Sequence, residues 1–335
     1  MGQPVVRPIA TRSRLDAARP RSTGEPHEPP PLSGHSGPDP LRLRAGVHGP
    51  QCWIRGPMNA HPLADTLTRL AAGEPTLKDW LRTERDDAPD WVRSSDLTTD
   101  YGARLPALLE QVRGEHPTQD KRAPATLWFG HYAYPVMAVP IACYLAAGRV
   151  PDLDPKDLWL RLNDHGEPNA LAWCGDRFAA LPADPAHAHP GCAIVADRAA
   201  LRDHLRNMLV AHLSPLIEAL AMLGALSRQT AWALAADYNA AAFVWIGGLL
   251  AGDETLGAAE SLDFAAPPSP LRRKRGYHRV EHGEAFTLMV DRVSCCRYFK
   301  VEGGGYCGNC PHRPLEERLS ITRDWLVRRS VEAGA

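Results

Sequence analysis

Between Ala123 and Gly148 the chain runs for twenty-six residues without one Asp, Glu, Lys or Arg. A stretch of that length and composition belongs either in a bilayer or at the centre of a folded body. Pro124, Pro135 and Pro140, together with His131 and three tyrosines, argue against a lone membrane span. The expectation is therefore a buried, proline-interrupted core helix. A chain of 335 residues, 44% hydrophobic and 23% charged, can supply the body around it. The same composition excludes a wholly disordered chain, a collagen-like fibre and a polytopic membrane protein.

Around this stretch the pattern is mostly helical. Leu63, Leu67 and Leu70 repeat at helix spacing and stop at Gly73, and Leu105, Leu108, Leu109 and Val112 repeat before Gly114. Two long helices are predicted over about 198–223 and 228–250, the second so apolar that it should be central. Two β-hairpins are predicted as well. One pairs 158–162 with 170–173 across an Asp164-His165-Gly166 turn. The other pairs 277–281 with 284–291 across His282-Gly283, with Phe286, Leu288 and Val290 on one face. Pro267, Pro268 and Pro270 mark a linker, and a closing helix should follow Pro314. Ten of the 31 prolines fall in the first 50 residues. Residues 1–57 are accordingly expected to be a disordered extension or a mis-assigned start, outside a body spanning 58–266 and a C-terminal segment of 271–335.

Four of the eight cysteines lie within sixteen residues: Cys295-Cys296, ten residues, then Cys307-Gly308-Asn309-Cys310. Four thiolates so spaced make a metal-site pattern, and Gly303-Gly304-Gly305 lets the intervening loop fold tightly. One C-x2-C pair suits a four-cysteine zinc site. Adjacent cysteines on an extended chain point to opposite sides, which suits a two-iron cluster better. Spacing alone leaves zinc and cluster open. Cys52, Cys143, Cys174 and Cys192 are too dispersed for a second site and are expected to be buried, inert thiols. The first thirty residues lack the apolar core of a secretory signal, so a reducing cytoplasm is the expected compartment.

Charge is uneven: +4 over residues 1–57, −10 over 58–270 and +5 over 271–335. The cysteines sit among Arg272, Arg273, Lys274, Arg275, Arg279, Arg292, Arg297 and Lys300. Cations close to a metal–sulfur centre favour its reduced form, and a basic face attracts an acidic electron donor or an anionic substrate. The 272–275 run also reads as a plain solvated linker. A nucleic-acid module is disfavoured by the acidic body and the lack of a basic, aromatic binding surface.

The C-C-x10-C-x2-C pattern, preceded by a short hairpin near the C-terminus, resembles the ferric siderophore reductases of the FhuF type. Leu127-Trp128-Phe129-Gly130-His131-Tyr132, leading to Pro135 and Pro140, is similar to that family's aromatic, proline-containing helix. Leu213–Gly224 followed by Trp232 and Asn239 is similar to its paired central helices. The resemblance covers about residues 58–312. It implies a [2Fe-2S] cluster ligated by Cys295, Cys296, Cys307 and Cys310, and a cytoplasmic one-electron reduction of a ferric, hydroxamate-type siderophore. It also implies an electron donor such as a ferredoxin, flavodoxin or flavin reductase, with no nucleic acid and no transmembrane span, and leaves room for peripheral contact with an importer. The expected fold is α+β: a predominantly helical body, two short β-hairpins and a small C-terminal iron–sulfur segment. Trp128, His131, Tyr132, Trp173, Trp232 and Asn239 are candidates for the chelate pocket, each with core packing as its competing role. Arg272, Arg273, Lys274, Arg275, Arg292, Arg297 and Lys300 are candidates for donor docking or cluster tuning. The rival function is a siderophore-handling or binding protein with a structural four-cysteine zinc site and no redox activity.

Overall fold

The computed structural model describes residues 61–74, 77–99, 104–272 and 276–334. The chain opens with α1 (Ala64–Gly73), β1 (Trp91–Arg93), α2 (Asp96–Thr99), α3 (Arg104–Glu115) and α4 (Ala123–Ala147). Five short strands follow: β2 (Arg149–Pro151), β3 (Leu158–Leu162), β4 (Pro168–Trp173), β5 (Phe178–Ala180) and β6 (Cys192–Ile194). Then come α5 (Arg198–Met222), α6 (Arg228–Ala251), α7 (Glu254–Phe264), the hairpin β7 (Tyr277–His282) and β8 (Ala285–Val290), and α8 (Leu315–Gly334). The class is α+β, as expected.

The charge-free stretch is α4, and it is continuous. Pro135 and Pro140 lie inside the helix rather than interrupting it. Each proline removes one N–H from the ladder, but α1, α3, α5 and α6 all pack on α4 and hold it in place. Its C-terminus closes on Gly148 at φ 63°, whose N–H bonds the carbonyl of Tyr144 at 3.1 Å. The equally apolar α6 begins at Ser227, which caps the Thr230 N–H at 3.2 Å, and is sandwiched between α4 and α7. Among the described residues α6 is the one helix long and apolar enough to cross a membrane, and two-thirds of its apolar window is buried inside the protein.

The first predicted hairpin forms as β3–β4, with Leu160 opposite Leu171. It gains a third strand, β1, through Val92 opposite Leu160. A second sheet, β2-β5-β6, has its last pair parallel. These added strands are three residues long, too short for a period to show. The C-terminal hairpin forms in register, from Tyr277 opposite Val290 to His282 opposite Ala285, and of the three apolar residues on one face of its second strand only Val290 is buried. Thr287, Met289 and Val290 are buried, whereas Phe286 and Leu288 are only half-buried. Glu254 of α7 explains the choice, because its carboxylate accepts from the Thr287 hydroxyl and the Leu288 N–H and draws that side inward. Phe286 instead carries the Arg279 guanidinium 3.6 Å above its ring. One core runs from Leu63 through α4, α5 and α6 to Leu271 and Val301, and Cys296 and Tyr298 pack against it.

Candidate metal centre

Three elements of the body pin the cysteine loop. From α6, the buried Asp237 carboxylate accepts the N–H groups of Val293 (2.9 Å) and Ser294 (2.8 Å) and the Ser294 hydroxyl (2.6 Å). This fixes the chain directly ahead of Cys295. From the start of α4, the Thr126 hydroxyl donates to the Cys296 carbonyl at 2.7 Å. From the loop before α4, the Thr118 hydroxyl donates to the Lys300 carbonyl, also at 2.7 Å. Between those anchors Arg297 sits at φ 63°, a left-handed conformation that costs a non-glycine residue roughly 1–3 kcal/mol. Its guanidinium is bound to Asp120, and that hydrogen bond holds the Asp120 carboxyl down to about 2.

The rest of the loop is shaped by glycine and by α8. Gly303 takes φ 72°, and a Cβ on Gly304 would stand 2.1 Å from the Tyr298 carbonyl oxygen, so neither position tolerates a side chain. The Asn309 amide donates to the Val290 carbonyl at 2.7 Å, tying the second cysteine pair to the end of β8. Arg318 of α8, itself buried, donates to Asp291 at 2.8 Å just past that strand. Arg313 donates to the Cys307 carbonyl at 3.1 Å.

Four sulfur atoms are thereby gathered. The Cys295 and Cys307 thiols both donate to Cys296, and Cys310 lies close enough to act on Cys295 and Cys307 electrostatically. Those two hydrogen bonds, with the charge of Arg292 behind them, hold Cys296 far below the usual thiol range, while Cys295 and Cys307 are pushed up as the donors. The Cys295 and Cys296 side chains lie near enough to interact rather than pointing to opposite sides, and the left-handed turn at Arg297 follows them. Backbone N–H groups also face the sulfurs, that of Arg297 reaching Cys295 Sγ at 3.3 Å and that of Tyr298 reaching Cys296. Among the described residues no three His, Cys, Asp or Glu side chains form a ready shell for a single metal ion.

Arg292 is the cation set against this centre. It acts on Cys296 and Cys307, lies 5.9 Å from the Tyr238 ring centroid, and has its Nε 3.9 Å from Asp237. Arg297 is turned to Asp120, and the exposed Lys300 stands 5.0 Å from the Phe299 centroid. The three cations grouped in the sequence therefore separate in space. Arg272 is exposed, and Arg273, Lys274 and Arg275 lie outside the described residues, as do residues 1–57.

Of the suggested chelate residues, Trp128 and Tyr132 stack with centroids 5.5 Å apart, inside the core. Trp128, Tyr132 and Trp173 are buried, with their polar atoms used internally. Trp128 Nε1 donates to Gly166 at 2.9 Å, Trp173 Nε1 donates to Trp80 at 2.8 Å, and the Tyr132 hydroxyl lies 2.6 Å from Ser94 and 2.7 Å from His212. His131 Nδ1 is 3.0 Å from Glu167, which also faces His116, and Trp232 is half-buried. Asn239 is buried on α6, its amide atoms without a hydrogen-bond partner among the described residues. A cavity of about 490 Å³ lies elsewhere, between Asp152, Asp154, Arg177, Phe178, His204 and His212. None of the six candidates lines it. Among the described dispersed thiols Cys143 alone is buried, its pKa pushed up to about 12 by that burial, whereas Cys174 is exposed and Cys52 lies outside the described residues.

A four-thiol loop with N–H···S donors and a half-buried cation, pinned to a helical body, defines a protein built to hold a metal–sulfur centre. Residues 126–274 match the family described as ferric iron reductase FhuF-like transporter, and residues 292–312 match the FhuF 2Fe-2S C-terminal domain. The chain belongs to this FhuF-type family of ferric iron reductases, and its cofactor is a [2Fe-2S] cluster. No curated protein sequence matches the chain closely. The zinc alternative gives way to the cluster on the second match, and the four cysteines fit it by number and chemistry, with Cys295 and Cys307 both beside Cys296. Asp237, Thr126, Thr118 and Asp120 were not singled out as site residues by sequence reasoning. A lone carboxylate in the otherwise apolar α6 was the one signal available.

Proposed function

We propose that this chain is a cytoplasmic enzyme that reduces ferric siderophores, of the hydroxamate type, by one electron. The electron would come from a ferredoxin, a flavodoxin or a flavin reductase, with peripheral contact to an importer supplying the chelate. The observation that carries this reading is the gathering of Cys295, Cys296, Cys307 and Cys310 in a loop that α4, α6 and α8 hold in place. When bound, a [2Fe-2S] cluster supplies a one-electron couple.

The protein's own residues do the rest. Asp237, Thr126 and Asn309 fix the backbone on either side of the thiolates, so that little has to reorganise when charge arrives. Arg292 and the N–H groups of Arg297 and Tyr298 offset the added negative charge. Hard hydroxamate oxygens hold ferrous iron far less tightly than ferric, so electron transfer is sufficient for release and no acid–base pair or nucleophile is required. The test is anaerobic mixing of the reduced holoprotein with a ferric trihydroxamate, following cluster absorbance and ferrous iron capture by a chromogenic chelator. Matched loss of the reduced spectrum and appearance of ferrous iron supports the reading. A reduced centre that persists with every ferric chelate refutes it.

A further inference from the structure

Three aromatic rings meet on the surface beside the cysteines. Phe299 follows Cys296 by three residues, Tyr306 directly precedes Cys307, and His312 follows Cys310 by two. Their centroids lie 4.8 Å apart for Phe299 and Tyr306, 5.2 Å for Phe299 and His312, and 5.9 Å for Tyr306 and His312. The first cysteine pair thus contributes one ring and the second pair two to a common patch. Core packing does not account for it: Tyr306 is 43% exposed, His312 is exposed and Phe299 is only half-buried. Aromatic surface left in water is free energy available to a ligand that covers it.

The rim carries charge. Lys300 Nζ is 5.0 Å from the Phe299 centroid and Arg313 Cζ is 5.9 Å from that of Tyr306. Arg313 also donates to the Tyr306 carbonyl at 2.8 Å, which locks the patch to the cysteine loop, and it is paired with Glu317. The other cations nearby are answered by carboxylates: Arg292 by Asp237, Arg297 by Asp120 and Arg318 by Asp291. Lys300 makes no ion pair among the described residues. What remains is an aromatic platform with one uncommitted ammonium. That surface suits a small ligand with an apolar face and an oxygen-rich edge better than it suits an acidic protein, which needs a wide positive field.

We propose that Phe299, Tyr306 and His312, with Lys300 at their edge, form the docking platform for the ferric chelate, a ferric trihydroxamate. The proposal rests on the reductase reading. Three hydroxamates around iron(III) make a neutral coordination sphere whose hydrocarbon connectors lie against the rings, while the Lys300 ammonium donates to a hydroxamate oxygen. Iron(III) gains one electron, the reduced centre loses one, and no bond to the protein forms or breaks. The coordination sphere then carries one negative charge, so Lys300 and Arg313 hold the product of electron transfer more firmly than the reactant, which lowers the barrier. Ferrous iron departs and the freed hydroxamates take protons from water.

The test uses the holoprotein and two probes, a ferric linear trihydroxamate and its redox-inert gallium(III) counterpart. Tyr306→Ala should keep the iron content and visible spectrum while weakening gallium-chelate binding by about tenfold, the worth of one lost aromatic contact. Should that variant lose iron, His312→Ala at the exposed edge carries the same comparison. Lys300→Gln, whose amide can still donate to a hydroxamate oxygen, should weaken binding of the neutral gallium chelate less than Tyr306→Ala does, yet reduce the ferric chelate several-fold more slowly. Unchanged gallium binding in both ring variants overturns the platform even where the parent reduces the ferric chelate. Ring variants that impair only reduction by a donor protein would assign the surface to the donor and overturn it equally. A parent that reduces no ferric chelate refutes the underlying reading instead.

Discussion

Replacing Arg292 by methionine removes a charge while keeping most of the side-chain volume, and the expected result is a lower reduction potential. Arg292 acts on Cys296 and Cys307 and is 16% exposed, so water screens it only in part. A unit charge about 7 Å from the added electron contributes about 2.4 kcal/mol at an effective dielectric constant of about 20. Asp237, 3.9 Å away, cancels part of that field. A net change of about 1–2 kcal/mol corresponds to a fall of about 40–90 mV for a one-electron couple, at about 59 mV per factor of ten. Arg297→Met and Lys300→Met should shift the potential much less, because their charges are directed at Asp120 and at the Phe299 ring. The assay is a potentiometric titration of the three variants beside the parent. An unmoved potential in Arg292→Met, with a large fall in Arg297→Met or Lys300→Met, would refute this assignment of the charges.

Serine at any one of Cys295, Cys296, Cys307 or Cys310 should cost most of the iron and sulfide, because oxygen replaces thiolate poorly, whereas Cys143→Ala should leave both unchanged by elemental analysis. Gly304→Ala should also lower cluster occupancy, since the added methyl would sit 2.1 Å from the Tyr298 carbonyl oxygen; full occupancy would show that the loop closes another way. Burial lowers the pKa of His212 to about 4, so the folded chain resists the proton that the unfolded chain accepts near 6.5. Stability should therefore be level above about pH 6.5 and fall by about 3 kcal/mol on acidification toward pH 4. Urea denaturation should show His212→Gln to be less stable at pH 7 but flatter across that window, and an equally steep variant would rule His212 out as the source.

The parts of this fold that could be read from the sequence are those in which one chemical pattern repeats. The charge-free α4, the apolar α6 and the β3–β4 hairpin are of that kind, and so is the cysteine spacing. Three-residue strands such as β1 and β6 carry no period and gain their identity from partners distant in the chain. The inner face of β8 was decided by Glu254, a residue of another element, against the hydrophobic pattern of the strand itself. The same holds at the site. Spacing named the four thiols, but which cation stands against them depends on Asp237 and Asp120, which lie 56 and 177 residues from their partners in the loop. Trp128, Tyr132 and Trp173 were ambiguous in the sequence for a related reason. An aromatic side chain with a polar atom suits a ligand wall and a hydrogen-bonded core position equally well, and only the partners Gly166, His212 and Trp80 distinguish the two.

The central claim is that Cys295, Cys296, Cys307 and Cys310 hold a redox-active [2Fe-2S] cluster, and its most direct measurement is anaerobic purification followed by metal and sulfide analysis and electron paramagnetic resonance. The account predicts a coloured protein with two irons and two sulfides per chain, silent as isolated, giving a spin-one-half signal on reduction that a ferric trihydroxamate abolishes. A colourless protein carrying one zinc per chain, with no signal on reduction, would contradict it.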